Sequence, residues 1–139
     1  MKVPLSEANV HSTGVLLLNL ESPEGKAPTA MQWDLAVPSV LGIESADIKL
    51  GKAAETAGKS VNCGLKSGKS SGAGPVRYTC ILAGGINPIG NGTVASVRYL
   101  VRMETNGAPI RVGIENILIV FSDLHHVTLP DIDAVIRVH

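Results

Sequence analysis

From Asn91 to Val138 the chain alternates polar and apolar side chains between turn dipeptides, and few folds can absorb that pattern. Asn91-Gly92 opens the stretch. Ala95, Val97, Tyr99, Val101 and Met103 then fall on one face of a strand, with Ser96, Arg98 and Arg102 on the other. Asn106-Gly107 turns the chain again, Ile110 to Ile114 starts a second run, and Ile117 to Phe121 is near-continuous apolar. Val127 to Leu129 and Ala134 to Val138 follow. Period-two patterning with this punctuation predicts antiparallel strands packed as a two-sheet sandwich.

The upstream half supplies the strands that complete it. Residues 1–13 are weakly patterned and read as a loose lead-in or a short edge strand, with the sandwich over 14–139. Leu16, Leu18 and Leu20 share one face of a strand; Pro23, Gly25 and Pro28 mark a loop. Met31, Trp33, Leu35 and Val37 alternate with Gln32, Asp34 and Ala36, which points Trp33 inward, and Pro38 ends the strand because proline cannot donate to a ladder. Val40 and Leu41 plug one end of the core. Ile43 to Leu50 reads as a further strand, and Lys52 to Lys59 as a single helical turn, too short to stand alone. Ser60 to Leu65 is a strand, Lys66 to Pro75 a mobile hairpin tip, and Val76, Tyr78, Cys80 and Leu82 the inward face of the next strand. Ile86 and Ile89 are expected under the turn-rich link that follows. The count is eight or nine strands. Only 3% of residues are aromatic, so the core must be built from Val, Ile, Leu and Ala.

The formal net charge is zero, so nothing in the balance points to a nucleic-acid or anionic-membrane partner, and none is expected. No apolar run approaches the roughly 20 residues that span a bilayer. No apolar stretch follows Met1-Lys2, so no signal peptide is expected within this sequence, and its close at His139 just after a strand pattern suggests an excised domain whose signal and neighbours lie outside it. Cys63 and Cys80 lie in strand-like runs either side of a Gly/Ser-rich loop. A hairpin there brings them close enough for a disulfide; two buried thiols are the alternative.

Catalytic patterns are missing. Gly58-Lys59-Ser60 and Gly68-Lys69-Ser70 resemble the tail of a phosphate-binding loop, but Ala53 and Cys63 stand where its first glycine is required. No serine sits in a nucleophile elbow, and the glutamates are scattered. His125 and His126 point to opposite faces of a strand and do not share a metal. Asp123, Asp131 and Asp133 offer three oxygen ligands for a loop calcium, with no further ligand pattern; polar turn residues are the plainer reading. Asn91-Gly92-Thr93 fits a glycosylation sequon and, more simply, a turn. Trp33, Tyr78 and Tyr99 face inward and Phe121 ends an apolar run. A flat stacking platform for sugars is therefore not expected, while a hydrogen-bonding cleft stays open. No enzyme and no cofactor is expected.

The run Met31 to Leu41, the Gly-led strand Gly92 to Tyr99 and the closing strands Ile110 to Ser122 and Ala134 to Val138 resemble cohesin-like domains, within the bacterial carbohydrate-binding β-sandwich superfamily. Val37 stands where the family usually places an acid. The cysteine pair looks more like cohesin-like domains of surface or secreted proteins. The resemblance implies an all-β jelly roll that is non-catalytic, secreted or on the cell surface, and serves adhesion, scaffolding or sugar binding. It further implies that a protein partner docks on one sheet face. Mapped by strand, that face would carry Gln32, Asp34, Arg77, Thr79, Ser96, Arg98 and Arg102, with Ile81 and Leu100 as apolar members. A polysaccharide-binding module and a purely structural domain are the competing readings.

Overall fold

The computed structural model describes residues 1–68 and 75–139. Two sheets pack face to face as a β-sandwich. The strands are β1 (Ser6–Ala8), β2 (Thr13–Leu20), β3 (Ala30–Val37), β4 (Leu41–Gly42), β5 (Ile48–Leu50), β6 (Ser60–Ser67), β7 (Val76–Ala83), β8 (Gly92–Val101), β9 (Ile110–Val120), β10 (His126–Leu129) and β11 (Ile132–Val138). A short helix, α1 (Lys52–Thr56), lies between β5 and β6. The seven-stranded sheet runs β1-β11-β9-β3-β7-β6, with β10 also on β9; the four-stranded sheet runs β2-β8-β4, with β5 also on β8. All pairings are antiparallel except β1 on β11.

The alternation seen in sequence becomes burial. Leu16, Leu18 and Leu20 from β2 and Val97, Tyr99 and Val101 from β8 meet Trp33, Leu35, Tyr78, Cys80 and Leu82 from the facing sheet, all buried. Aliphatic side chains alone fill the gap of about 10 Å between packed sheets only where they interdigitate. The two tyrosines reach across it. The Tyr78 hydroxyl donates to the Ile43 carbonyl at 2.8 Å, and the Tyr99 hydroxyl meets Ser6 Oγ at 2.7 Å. Each bond satisfies a polar group that burial would otherwise strand, and each ties one layer to the other. Tyr99 lies over Gly14, its directly paired neighbour; a Cβ there would stand 2.3 Å from the phenolic oxygen.

Several local expectations change. The count exceeds eight or nine because β1, β4 and β5 are two or three residues long and carry no readable period. Ile43 to Leu50 is not one strand: a 3-10 turn at Ser45–Asp47 breaks it, closed by the Asp47 side chain accepting from the Glu44 N–H. Ile89 is buried, but Ile86 is 87% exposed at the loop tip. Met103 is 45% exposed because β8 ends at Val101. Lys66 and Ser67 belong to β6 and not to a hairpin tip; residues 69–74 of that tip, and with them Lys69 and Ser70, lie outside the described residues. The Asn106-Gly107 turn has both residues at positive φ (53° and 81°), the conformation this dipeptide favours.

Cys63 pairs directly with Cys80 across β6 and β7, and the two form a disulfide. It closes a loop whose ends are 17 residues apart, worth about 3 kcal/mol by restricting the unfolded chain. Reduction, or the double change Cys63→Ser and Cys80→Ser, is expected to lower unfolding free energy by that amount. The urea midpoint with and without reductant reads it, and an unmoved midpoint would deny the bridge any role. Gly14→Ala is expected to cost about 1–3 kcal/mol by displacing the Tyr99 ring, with Tyr99→Phe in the same background recovering only part of that loss, because ring carbon Cζ would still stand 2.4 Å from the new Cβ; urea midpoints of the two variants read it.

Candidate functional site

Alternation predicts which side chains point outward. In a sandwich, outward has two opposite directions, and the strand's sheet decides which. Gln32 and Asp34 on β3 and Arg77 and Thr79 on β7 share the outer face of the seven-stranded sheet, with Ile81. Ser96 and Arg98 lie on β8, in the other sheet, where Leu100 accompanies them. Arg102 follows the end of β8, its N–H bonded to the Val40 carbonyl at 2.8 Å. The single face expected from the sequence is therefore two. Arg98 instead pairs with Asp47 at 3.6 Å.

The outer face of the longer sheet is organised by one buried acid. Asp34 is only 2% exposed, although it points away from the core, because its neighbours cover it. Its Oδ2 accepts from Lys66 Nζ at 2.6 Å and Asn116 Nδ2 at 2.8 Å; its Oδ1 accepts from Thr79 Oγ1 at 2.8 Å. Burial pushes the Asp34 carboxyl up. The hydrogen bonds from Lys66, Asn116 and Thr79, with the Lys66 charge, outweigh burial and leave the group below its ordinary value. Arg77 pairs with Glu115, which sits directly opposite Asp34 on β9, and Arg111 pairs with Asp133 at 3.8 Å. Every one of these ion pairs runs from a cation nearer the β6 edge to an acid nearer the β11 edge. These three pairs are thus neutral in sum and polarised in pattern. Between the two arginine pairs a shallow depression of about 420 Å³ is floored by Ala36 and Gly113.

Lys66, Glu115 and Asn116 were missed in the sequence. Asn116 occupies the bulge where the β3–β9 register shifts, at φ 50°, a left-handed conformation that asparagine tolerates better than most residues. The extra residue turns its amide onto Asp34, while its backbone N–H donates to Asp131 Oδ1 at 3.1 Å. A signal was present: Ile110, Val112 and Ile114 step by two, then Ile117 and Ile119 resume after a gap of three. That phase slip marks a bulge.

The calcium arrangement does not form. Asp123 Oδ1 accepts from the His125 N–H at 2.9 Å, Asp131 caps Asn116, and Asp133 pairs with Arg111, so the three acids serve separate partners. Among the described residues no group of three or more His, Cys, Asp or Glu side chains is placed to hold a metal ion. Lys59, the lysine of the phosphate-loop look-alike, is buried, with Nζ donating to the carbonyls of Gly84 at 2.7 Å and Gly85 at 3.3 Å. It ties down a loop. Among the described residues no helix is long and apolar enough to cross a membrane.

No protein-family model and no curated protein matches the chain. Solved structures do. The sixth cohesin of scaffoldin B from Acetivibrio cellulolyticus, solved with a Cel5 dockerin mutant, superposes with a TM-score of 0.76 at 14% identity, over 99% of this chain and 96% of that one. A type I cohesin from Clostridium thermocellum, solved in a cohesin–dockerin complex, gives 0.75 at 11% identity, over 99% and 96%. A non-cellulosomal cohesin from the hyperthermophilic archaeon Archaeoglobus fulgidus gives 0.68 at 17% identity, over 99% and 88%. At these identities the likeness is one of fold: the chain is a cohesin-like β-sandwich.

The Asp34 network has a pH signature. A carboxyl held lower in the folded state stabilises the fold above its unfolded value, near 4, and loses that contribution as pH falls through the folded value. Asp34→Asn is therefore expected to be less stable than the unsubstituted protein at pH 7, by about 1–3 kcal/mol. The difference should shrink as the solution is acidified below pH ~4. Urea midpoints across that range measure it, and a gap that stays constant with pH would show that Asp34 is not charged in the folded protein.

Proposed function

We propose that this chain is a non-catalytic recognition module that docks a protein partner on the outer face of its seven-stranded sheet. The observation that carries the reading is the Asp34 cluster. A buried carboxylate fixes Lys66, Thr79 and Asn116 in place, so the face presents polar groups whose ordering has already been met on folding. Rigid, oriented charges suit recognition of a partner with the complementary pattern. Gln32, Arg77 and Thr79 belong to this face; Ser96, Arg98 and Arg102 do not. The cohesin-fold neighbours solved with dockerins support a protein partner of dockerin type. The Cys63–Cys80 bridge supports an oxidising location, secreted or on the cell surface.

Calorimetry against a panel of dockerin modules tests this. A module that binds the unsubstituted chain is expected to lose about thirtyfold or more in affinity with Arg77→Glu, and less than about threefold with Arg98→Glu, which lies on the opposite sheet. The reverse ordering would move docking to the four-stranded sheet. Retention through both substitutions would remove sheet-face docking, and a panel without any binder would remove the dockerin class of partner.

A further inference from the structure

The rings of this protein are almost all hidden: Trp33, Tyr78 and Tyr99 lie in the core. Phe121 is the exception, half-buried at one end of the sandwich, and it stacks on His125 with centroids 6.3 Å apart and planes 25° from parallel. The β9–β10 hairpin forces this pairing. The Phe121 N–H donates to the His125 carbonyl and the Leu124 N–H to the Phe121 carbonyl, both at 2.9 Å, leaving Ser122, Asp123 and Leu124 as the loop. Leu124 sits at φ 66°, a position that glycine fills in most hairpins of this kind, and its side chain is 82% exposed. The turn carries backbone strain while holding the two rings side by side.

Phe121 and His125 border a cleft of about 400 Å³, within the range of small-molecule sites, together with Lys26, Ser122, Asp123 and Val127. Its chemistry is mixed in a particular way. Ring and valine surfaces offer an apolar wall. The lysine ammonium donates, and the serine hydroxyl both donates and accepts. The Asp123 carboxylate accepts, with one oxygen bonded to the His125 N–H. A flat aromatic molecule would leave these polar groups unpaired, and a simple anion would leave the rings unused. A pyranose satisfies both, with C–H faces for the rings and hydroxyls for the rim. The small cleft and the single ring pair limit it to one sugar unit, not the extended platform that a crystalline polysaccharide needs. We propose that this end cleft is a binding site for a single pyranose residue, separate from the sheet face and independent of the docking reading.

The test is a titration of isotope-labelled protein with the methyl glycosides of glucose, galactose and mannose and with N-acetylglucosamine, to tens of millimolar, followed at the Phe121, His125 and Val127 signals. At least one sugar is expected to give saturable shifts confined to the cleft. Phe121→Leu keeps apolar volume and removes the ring, and is expected to weaken binding about tenfold. Asp123→Asn keeps the turn hydrogen bond and is expected to weaken it several-fold. Arg77→Glu, on the sheet face, should leave it unchanged, so failure of either site is read separately. Absence of saturable cleft shifts with all of these sugars, or shifts that persist undiminished in a folded Phe121→Leu protein, would overturn the proposal.

Discussion

A slot between two sheets has to be filled, and this chain fills it almost without rings. Val, Ile, Leu and Ala supply most of the buried surface, and Trp33, Tyr78 and Tyr99 the remaining bulk. Small side chains leave little tolerance, since a void of one methyl group already costs on the order of 1 kcal/mol. The two tyrosines are placed where their length matters most. Each crosses the slot and ends in a hydrogen bond on the opposite layer, which fixes the spacing and relative position of the sheets. Gly14 exists in the same argument, as the gap through which Tyr99 reaches Ser6.

The polar outer face follows a different logic. Burying a carboxylate is costly unless every lone pair is answered. Asp34 is answered by an ammonium, an amide and a hydroxyl from β6, β9 and β7, so one residue on β3 stitches four adjoining strands, out to the β6 edge, together from outside. The same contacts hold those groups in fixed positions towards solvent. Stability and presentation therefore come from one set of bonds, and a substitution at Asp34 alters both at once.

One end of the sandwich, where β7 and β9 both finish beside the start of β3, gathers two exposed loop tips. The β7–β8 tip carries the exposed Ile86, and the β9–β10 tip carries the exposed Leu124 and the Phe121–His125 ring pair. Strain at Leu124 is local and its cost is met by the rest of the β9–β10 hairpin. Recognition by a broad rigid face and recognition by a small end cleft draw on different parts of the fold, and neither disturbs the core.

The sequence alone determined the fold class, because period-two burial is a property of each strand by itself. Leu16 to Leu20, Met31 to Val37 and Val76 to Leu82 needed no neighbour to declare their inward sides. It also carried the Asn106-Gly107 turn, and the bulge at Asn116 as a slipped phase. What no single strand records is the sheet it joins. Arg77 and Arg98 both alternate outward and both looked like members of one patch; pairing of β7 with β3 and of β8 with β2 sent them to opposite sides of the molecule. The partners of Asp34, separated from it by 32, 45 and 82 residues, were equally hidden. Local pattern fixes a side chain's direction relative to its own backbone, whereas long-range hydrogen bonding between strands fixes which way that backbone faces.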